Sequence, residues 1–171
     1  MIIGIGGVSR SGKSFLAKAL QNKFNLAGKT VEILDQDDYV LPTKDIPLIR
    51  DHVDWEIPES IDWKTFKEAI YTAKKRCDVV IAEGLLVFWD KSILAQFDKK
   101  ILIELPKEEF VNRKRVDLRW GKEPEWYIQY IWDSFLKYGG LPDETDPDII
   151  LDGGKAFDIS KIMNVLRRYY V

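Results

Sequence analysis

One stretch near the start of the chain carries residue types and spacing that suit phosphate chemistry. It is Gly7-Val8-Ser9-Arg10-Ser11-Gly12-Lys13-Ser14, which fits the pattern G-x-x-x-x-G-K-[ST] at every fixed position. In such a phosphate-binding loop (P-loop), backbone N–H groups point inward and form a concave anion site at a helix N-terminus. Lys13 would reach the β- and γ-phosphates of ATP, and the Ser14 hydroxyl would bind Mg²⁺. The sequence therefore predicts that these eight residues bind ATP.

The flanking residues predict the elements that must hold this loop. The apolar run Ile2-Ile3-Gly4-Ile5 precedes it and is typical of a buried strand. Leu16, Leu20 and Phe24 follow at every fourth position, which indicates a helix. A glycine-rich turn that merely caps a helix is the alternative, and the strand-loop-helix order favours the P-loop.

Acidic residues follow two further predicted strands. Asp35, Asp37 and Asp38 lie just beyond the strand predicted at 31–34, and Glu83 ends the strand predicted at 78–82. Because ligands of an open α/β sheet bind beyond the carboxyl ends of its strands, these acids are expected to face the P-loop. Glu83 stands where P-loop enzymes place a magnesium acid, which is usually Asp. A solvated acidic turn is the alternative for the first group.

A long irregular loop over 40–60 contains three prolines and the triplet Asp54-Trp55-Glu56. Loops of this length inside a compact domain tend to be functional. The triplet could stack a ring on Trp55 and accept hydrogen bonds from hydroxyl groups. It could equally belong to a lid that packs its tryptophan onto the body of the protein.

Two more segments could contact a nucleotide. A helix after the fourth predicted strand carries the basic residues Arg113, Lys114 and Arg115, followed by Arg119. This cluster could close over the triphosphate, or it could be a solvated face paired with neighbouring acids. The other segment contains Gly153, Gly154 and Lys155, and its glycines allow the backbone to approach a flat ligand.

Composition limits the function classes. The chain has 171 residues, 46% of them hydrophobic, and a net charge of −2, which predicts one globular domain over 1–171 with a lid at about 113–124. The charge argues against nucleic acid as a partner. The single cysteine, Cys77, excludes an internal disulfide, and no signal peptide or membrane span is expected. We expect a cytoplasmic monomer or small homo-oligomer.

Alternating strands and helices predict the fold class. It is an α/β, three-layer, doubly wound parallel sheet of five strands, of the P-loop NTPase and nucleoside monophosphate kinase-like type, with a small helical lid.

With these segments placed, the chain resembles the uridine kinase-like P-loop kinases over nearly its whole length, and most of all the nicotinamide riboside kinase family. The matching segments are Gly4-Ile5-Gly6-Gly7-Val8, Gln36-Asp37-Asp38-Tyr39, Trp55-Glu56, Glu83-Gly84-Leu85-Leu86-Val87-Phe88, Pro106 with Glu108-Glu109, residues 132–138, and Leu151-Asp152-Gly153.

The resemblance implies roles for the matching positions. Asp37 is implied as the general base toward the substrate hydroxyl, close to Mg²⁺. The implied substrate-binding residues are Asp37, Asp38, Tyr39, Trp55, Glu56 and Lys114. The implied ATP-binding residues beyond the P-loop are Arg113, Arg115, Gly153, Gly154 and Lys155, and the metal-binding residues are Ser14, Asp37 and Glu83. Family members commonly have Asp at position 56 and Arg at position 114, so Glu56 and Lys114 are departures.

These inferences predict a kinase that transfers the γ-phosphoryl group of ATP, with Mg²⁺, to the 5′-hydroxyl of a ribonucleoside. Nicotinamide riboside is the favoured acceptor, giving nicotinamide mononucleotide for NAD biosynthesis. A uridine or cytidine kinase and a kinase of another small alcohol, such as pantothenate, are alternatives. A nucleotide-binding regulatory switch is the alternative from another class. A GTPase would carry N-K-x-D, and the nearest string, Asn22-Lys23-Phe24-Asn25, lacks the acid.

Overall fold

A parallel β-sheet forms the centre of the fold in the computed structural model, which describes residues 1–119 and 121–167. The strands in chain order are β1 (Ile2–Gly7), β2 (Val31–Asp35), β3 (Leu48–Ile49), β4 (His52–Val53), β5 (Val79–Gly84), β6 (Lys99–Glu104) and β7 (Ile149–Asp152). The α-helices are α1 (Lys13–Leu26), α2 (Trp63–Arg76), α3 (Lys91–Leu94), α4 (Lys107–Arg115), α5 (Glu125–Ser134) and α6 (Ile159–Arg167).

Five of these strands pair in the order β2-β5-β1-β6-β7, and every pairing among them is parallel. The central strands β1 and β5 are buried along their whole length. Such burial requires cover on both faces, which explains their continuous apolar runs. The predicted doubly wound five-stranded parallel sheet is therefore confirmed.

The two faces of the sheet are covered by different helices. Leu16, Leu20 and Phe24 of α1 pack with Ile162 and Leu166 of α6 over one face. The other face is covered by α2, which buries residues such as Phe66 and Ile70. A third apolar cluster joins α4 and α5 to the end of the sheet where the P-loop lies. None of the described helices has the length and apolar character needed to cross a lipid bilayer.

Several element boundaries differ from the predictions. Helix α4 ends at Arg115, so Arg119 lies beyond the helix rather than on it. The backbone N–H of Asp117 still bonds the carbonyl oxygen of Lys114, and the Asp117 carboxylate then accepts from the Arg119 N–H, which turns the chain away from the helix axis. After α5 the chain continues as one π-helical turn over Phe135–Gly139. Tyr169, predicted on the closing helix, lies outside the described residues.

The long loop contains structure that the sequence pattern did not indicate. β3 and β4 form a short antiparallel hairpin within it. The His52 ring lies 4.9 Å from the Trp126 ring and 5.1 Å from the Tyr127 ring, both on α5. These contacts fix the loop that carries Trp55 and Glu56 against α5.

The turn that carries Asp37 is attached to the end of β5 by Gln36. This side chain is 1% exposed, and its Oε1 accepts a 2.9 Å hydrogen bond from the backbone N–H of Leu86. A Cβ atom at Gly84 would lie 2.4 Å from Gln36 Oε1 and 2.5 Å from its Cβ. The missing side chain at Gly84 therefore makes room for Gln36.

We predict that Gly84→Ala destabilises the protein by about 1–3 kcal/mol, because the new methyl group overpacks the site occupied by Gln36. Urea unfolding followed by tryptophan fluorescence measures this change. Gly140→Ala is the matched control, since a Cβ there meets nothing within 4 Å and Gly140 has an ordinary φ of −76°. Equal stability of the two variants would contradict the packing argument.

Candidate active site

The P-loop joins β1 to α1 and has the backbone conformation of an anion cradle. Gly12 and Arg10 both have positive φ angles, of 105° and 63°. A Cβ atom at Gly7 would lie 2.7 Å from both Ser11 Oγ and the carbonyl oxygen of Ile103, so only glycine fits there. Lys13 Nζ lies 3.2 Å from the carbonyl oxygen of Val8 and donates to it, which keeps the ammonium group at the loop.

Three carboxylates meet beside this loop because their strands are neighbours in the sheet. Asp35 of β2 is in register with Glu83 of β5, and Glu83 is in register with Ile5 of β1. The backbone N–H of Asp37 donates a 3.0 Å hydrogen bond to Asp35 Oδ1. The expectation that the acids after β2 and β5 share one crevice thus agrees with the geometry.

The electrostatics of this crevice are dominated by buried negative charge. Glu83 is 2% exposed, and burial raises its pKa, with further increases from the charges of Asp35 and Asp37. Lys13 and an interaction with the Ser14 hydroxyl oppose that rise. Burial also raises the pKa of Asp35. A cation placed among these groups would therefore be stabilised.

A hydroxyl next to buried carboxylates is a donor set that suits Mg²⁺, which prefers oxygen ligands and takes only one or two carboxylates in kinase sites. Ser14, Glu83 and Asp37 could hold this ion together with phosphate oxygens. Within residues 1–119 and 121–167, no group of three or more Asp, Glu, His or Cys residues could hold a metal ion. The assignment of these three metal ligands stays a prediction.

A second acidic position lies next to the crevice. Glu56 is half-buried, and burial raises its pKa to about 7. Lys114 lowers this pKa, whereas the charges of Asp37, Glu123 and Asp54 raise it further. Glu56 and Asp37 are therefore close enough to interact, as a substrate lying between them requires.

Lys114 is itself buried and pairs with an acid that the sequence analysis did not select. Its side chain is 6% exposed, and its Nζ lies 2.9 Å from Glu123 Oε2, on a side chain that is 14% exposed. Burial of such a pair is tolerable only when each charge has its partner. Together, Glu56, Lys114 and Glu123 define what we term the acceptor recess.

The Asp54-Trp55-Glu56 triplet could be a ring-stacking site or part of a packed lid, and its surroundings agree with parts of both interpretations. Asp54 is buried and accepts a 2.6 Å hydrogen bond from the Tyr130 hydroxyl group, so it anchors the loop to α5. Trp55 remains 38% exposed. Tyr127 is buried close to Glu56, and burial raises the pKa of its phenol. The triplet therefore both anchors the loop and leaves the Trp55 ring accessible.

The resemblance implies Tyr39 and Asp38 in substrate binding, but the structure packs Tyr39 against α2 and leaves Asp38 exposed. The Tyr39 ring lies 5.0 Å from the ring of Phe66 on α2. Burial raises the pKa of Tyr39, and the nearest charges that add to the rise are those of Asp38 and Glu32 rather than those of the crevice. Asp38 is exposed. Contact of either residue with a substrate stays a prediction.

The basic residues of the lid divide into two groups. Arg113 Nη1 donates to the carbonyl oxygen of Arg10 at 3.1 Å, which places Arg113 against the P-loop. Arg115 instead forms an exposed ion pair with Glu125, at 2.8 Å. Arg119, which the prediction of ATP-binding residues omitted, interacts with the charge of Asp37. The structure therefore places Arg113 against the P-loop and Arg119 within electrostatic reach of the crevice, whereas Arg115 pairs with Glu125.

A pocket of about 290 Å³ opens on the other side of the P-loop. The pocket is lined by the P-loop, by Arg113 and by the segment after β7. The lining residues are Ser11, Gly12, Phe15, Arg113, Gly153, Lys155, Ala156, Phe157 and Ile159. The Phe15 ring is 6.3 Å from the Phe157 ring, and Phe15 is 68% exposed. This pocket could hold a flat heterocycle joined to a phosphate chain.

Of the segment after β7, Gly153 approaches the P-loop most closely. Its N–H donates to the carbonyl oxygen of Glu104 at 2.7 Å, and a Cβ there would lie 2.8 Å from the carbonyl oxygen of Ser11. Gly154 follows in the same turn, and Lys155 pairs with Asp152 at 2.7 Å. The glycine-rich segment predicted beside the nucleotide thus lies next to the P-loop.

Sequence reasoning missed three kinds of residue in this site. They are the recess acid Glu123, the lid acid Asp117, and the pocket aromatics Phe15 and Phe157. Asp35 and Arg119 belong to the acidic and basic clusters that the sequence singled out, although neither was assigned an individual role. The others come from contacts between segments distant in the chain.

Fold and site together define a P-loop protein of the phosphotransferase type. Solved structures agree on the fold. A shikimate kinase from Aquifex aeolicus matches with a TM-score of 0.56 and 19% identity, over 99% of this chain and 98% of that one. A protein described as a possible uridine kinase from Bacillus stearothermophilus matches with a TM-score of 0.59 and 18% identity, over 89% and 88% of the two chains.

Curated relatives narrow the class to kinases. Human nicotinamide riboside kinase 1 is 25% identical over 91% of this chain and 85% of its own length. Nicotinamide riboside kinase from Saccharomyces cerevisiae is 20% identical over 96% and 88%. Uridine kinase from Mycoplasma genitalium is 29% identical over 71% and 68%. No family model matches the chain. The predicted resemblance to these kinases is confirmed, and so is the predicted class, an ATP-dependent phosphotransferase acting on an alcohol.

We predict that Glu56 makes the stability of the protein fall as pH rises. Its pKa is about 7 in the folded protein and near 4.5 when unfolded, so the folded state binds more protons between these values. This stabilisation is complete below about pH 4.5 and is lost as pH rises through 7. Urea unfolding between pH 5 and 8 should show wild type losing stability relative to Glu56→Gln. Parallel curves for the two proteins would contradict the prediction.

Proposed function

We propose that the protein is an ATP-dependent nucleoside kinase that phosphorylates the 5′-hydroxyl of nicotinamide riboside to give nicotinamide mononucleotide. The observation that carries this proposal is the adjacency of two sites. Lys13 and the crevice acids lie at the P-loop, and the acceptor recess interacts with the same crevice through Asp37. A phosphate donor and an alcohol acceptor bound in these sites would meet at Asp37.

The nucleotide would lie across the P-loop. Its adenine would enter the pocket lined by Phe15, Phe157 and Gly153, where aromatic rings and bare backbone suit a flat base. The loop N–H groups and Lys13 would hold the phosphates. Arg113, already bonded to the loop, would add positive charge beside them. When bound, Mg²⁺ would neutralise charge on the phosphate oxygens.

Asp37 would act on the acceptor hydroxyl. Phosphoryl transfer proceeds through a loose transition state, so catalysis depends mainly on positioning and charge stabilisation. Asp37 is positioned from two sides, by its own N–H on Asp35 and by the attachment of Gln36 to Leu86. It would orient the hydroxyl and accept its proton as the new P–O bond forms.

The charge of Glu56 and the exposed ring of Trp55 support binding of a cationic nucleoside at the acceptor recess. Nicotinamide riboside carries a fixed positive charge on its ring, and the accessible Trp55 ring offers a cation–π surface. Glu56 supplies a carboxylate whose oxygens can accept from ribose hydroxyls.

A uridine or cytidine kinase is the second candidate, and the similarity to mycoplasmal uridine kinase favours it. Uridine is neutral and needs donors and acceptors for the edge of its base. A kinase of a different small alcohol, of the pantothenate type, and a nucleotide-dependent switch are the further alternatives. A switch would consume ATP without an added acceptor, whereas a kinase would not. The predicted cytoplasmic location and small oligomeric state stay predictions.

We predict that Asp37→Asn lowers kcat by about a hundredfold or more, because the amide cannot accept the proton. Lys13→Ala should lose most activity because the γ-phosphate loses its cation. Coupled measurement of ADP release with saturating nicotinamide riboside gives these rates. Asp45→Asn, an exposed acid in the long loop, is the control and should retain wild-type turnover. Wild-type turnover in Asp37→Asn would remove Asp37 from the role of base.

We also predict that the acceptor preference depends on the charge of Glu56. With nicotinamide riboside, uridine, cytidine, adenosine and pantothenate offered in parallel, mass spectrometry should show nicotinamide riboside as the main product. Its KM should fall about tenfold from pH 6 to pH 8 as Glu56 ionises, roughly the effect of one partly solvated charge pair.

Two controls bear on that prediction. The Glu56→Gln variant should lose the pH dependence of KM, and a neutral nucleoside should show none with either protein. Phosphorylation of uridine in preference to nicotinamide riboside would instead establish the second candidate. ATP hydrolysis that is independent of every acceptor would favour the switch.

A further inference from the structure

One carboxylate outside the crevice joins the lid to the P-loop. Asp117 has a side chain that is only 3% exposed, although it lies between two exposed apolar residues, Val116 and Leu118. Two arginines reach it, one from the P-loop and one from the lid. A buried acid that receives cations from two segments distant in the sequence requires an explanation beyond the local turn.

Asp117 fixes Arg119 through both its backbone and its side chain. The Arg119 N–H donates to Asp117 Oδ1 at 3.3 Å, and Nε lies 2.9 Å and 3.2 Å from the two carboxylate oxygens. Nη2 donates to Oδ2 at 2.7 Å. This fork geometry holds the guanidinium plane in one orientation. Arg119 donation also lowers the pKa of Asp117 to about 2, so the acid is ionised at neutral pH.

The P-loop contributes the second cation. Arg10 Nε lies 3.7 Å from Asp117 Oδ2, and Arg10 occupies a positive-φ position within the loop. Its carbonyl oxygen accepts from Arg113 Nη1. The lid is therefore attached to residue 10 at two points, once through its side chain and once through its backbone.

Arg119 is held where a nucleotide could use it. Its side chain is 58% exposed, and the charges of Asp37 and Glu123 act on it in addition to that of Asp117. Because the charge of Asp37 acts on this guanidinium, Arg119 is within electrostatic reach of the position at which the phosphoryl group would be transferred. Arginine suits this task because its planar fork matches phosphate oxygens.

We propose that Asp117 is a positioning residue, holding Arg119 of the lid and Arg10 of the P-loop so that both guanidinium groups face the terminal phosphate of the nucleotide. This inference rests on the proposed ATP-dependent kinase function, whichever acceptor is used. Asp117 acts through the arginines and does not itself touch the phosphates.

The competing explanation is that Asp117 only stabilises the turn after α4. That role needs an oxygen to accept the Arg119 N–H, and an asparagine side chain supplies one. Asp117→Asn therefore keeps the turn and removes the charge that holds the arginines. The variant separates the two explanations because a purely structural role predicts unchanged nucleotide discrimination.

The test compares wild type with Asp117→Asn by titration calorimetry, using ADP and the imido analogue of ATP, each with Mg²⁺. We expect Asp117→Asn to bind the ATP analogue about tenfold more weakly, the effect of one charged hydrogen bond, with a smaller loss for ADP. In steady-state assays kcat should fall at least tenfold at unchanged KM for the acceptor. An unchanged ratio of analogue to ADP affinity, with unchanged kcat, would overturn the proposal.

Glu125→Gln is the matched control, since it breaks an exposed arginine–carboxylate pair in the same region. It should behave as wild type in both the calorimetric and the steady-state experiments. The calorimetric experiment needs no acceptor, so the positioning role of Asp117 can be confirmed or rejected even if the proposed acceptor is wrong. Failure of wild type to bind either nucleotide would instead reject the kinase function.

A double variant tests whether Asp117 affects nucleotide affinity through Arg119. Asp117→Asn should cost less analogue affinity when added to Arg119→Ala than when added to wild type, because only Arg10 then remains to be positioned. Losses that multiply would overturn the proposal. If thermal melting shows that Asp117→Asn does not fold, Arg10→Gln and Arg119→Gln carry the test. Each variant should weaken binding of the ATP analogue more than binding of ADP, and an unchanged ratio of the two affinities in both variants would overturn the proposal.

Discussion

Crowded negative charge at one edge of a parallel sheet is the constraint on which this site depends. The strand order places β2, β5 and β1 side by side, so the residues that end them cannot avoid one another. Asp35, Asp37 and Glu83 therefore share one crevice, in which Asp37 is exposed and burial raises the pKa of Asp35 and Glu83. Such a cluster is costly without cations, and Lys13 is the cation within the P-loop that offsets it. The same charge excess prepares the crevice for a metal–nucleotide complex.

One part of the site is fixed by close packing, and the other part, the lid, is held by polar contacts. The P-loop, the crevice acids and the turn after β2 are fixed by sheet register and by close packing at Gly7 and Gly84, where a single methyl group would collide with neighbouring atoms. The lid, by contrast, is fixed by polar contacts. Arg113 and Asp117 connect it to Arg10, and Lys114 connects to Glu123 within it. Hydrogen bonds and ion pairs of this kind can exchange a protein partner for phosphate oxygens, which packed side chains cannot do.

The acceptor recess is assembled from segments that are distant in the chain. Glu56 comes from the long loop, Lys114 from α4, and Glu123 from the segment between α4 and α5. The loop takes its position from contacts with α5, including the hydrogen bond from Tyr130 to Asp54 and the contacts of the His52 ring with the Trp126 and Tyr127 rings. Packing of the loop on α5 therefore controls both the place and the ionisation of the acid that would meet the substrate. Changes in this packing provide a physical route to altered acceptor preference on an unchanged phosphoryl-transfer site.

The sequence alone determined the P-loop, the parallel α/β fold and the acids at the strand ends, because these depend on local spacing, hydrophobic period and the rule that ligands bind at the carboxyl edge. Only the tertiary structure decided which members of each cluster reach the site. The run at 113–115 separated because α4 directs Arg113 to the P-loop, buries Lys114 and leaves Arg115 exposed with Glu125. Asp117 and Glu123 had no sequence signal, since the roles of both come from partners that folding brings together. Side-chain direction and long-range pairing are properties of the folded chain, and residue type and spacing do not encode them locally.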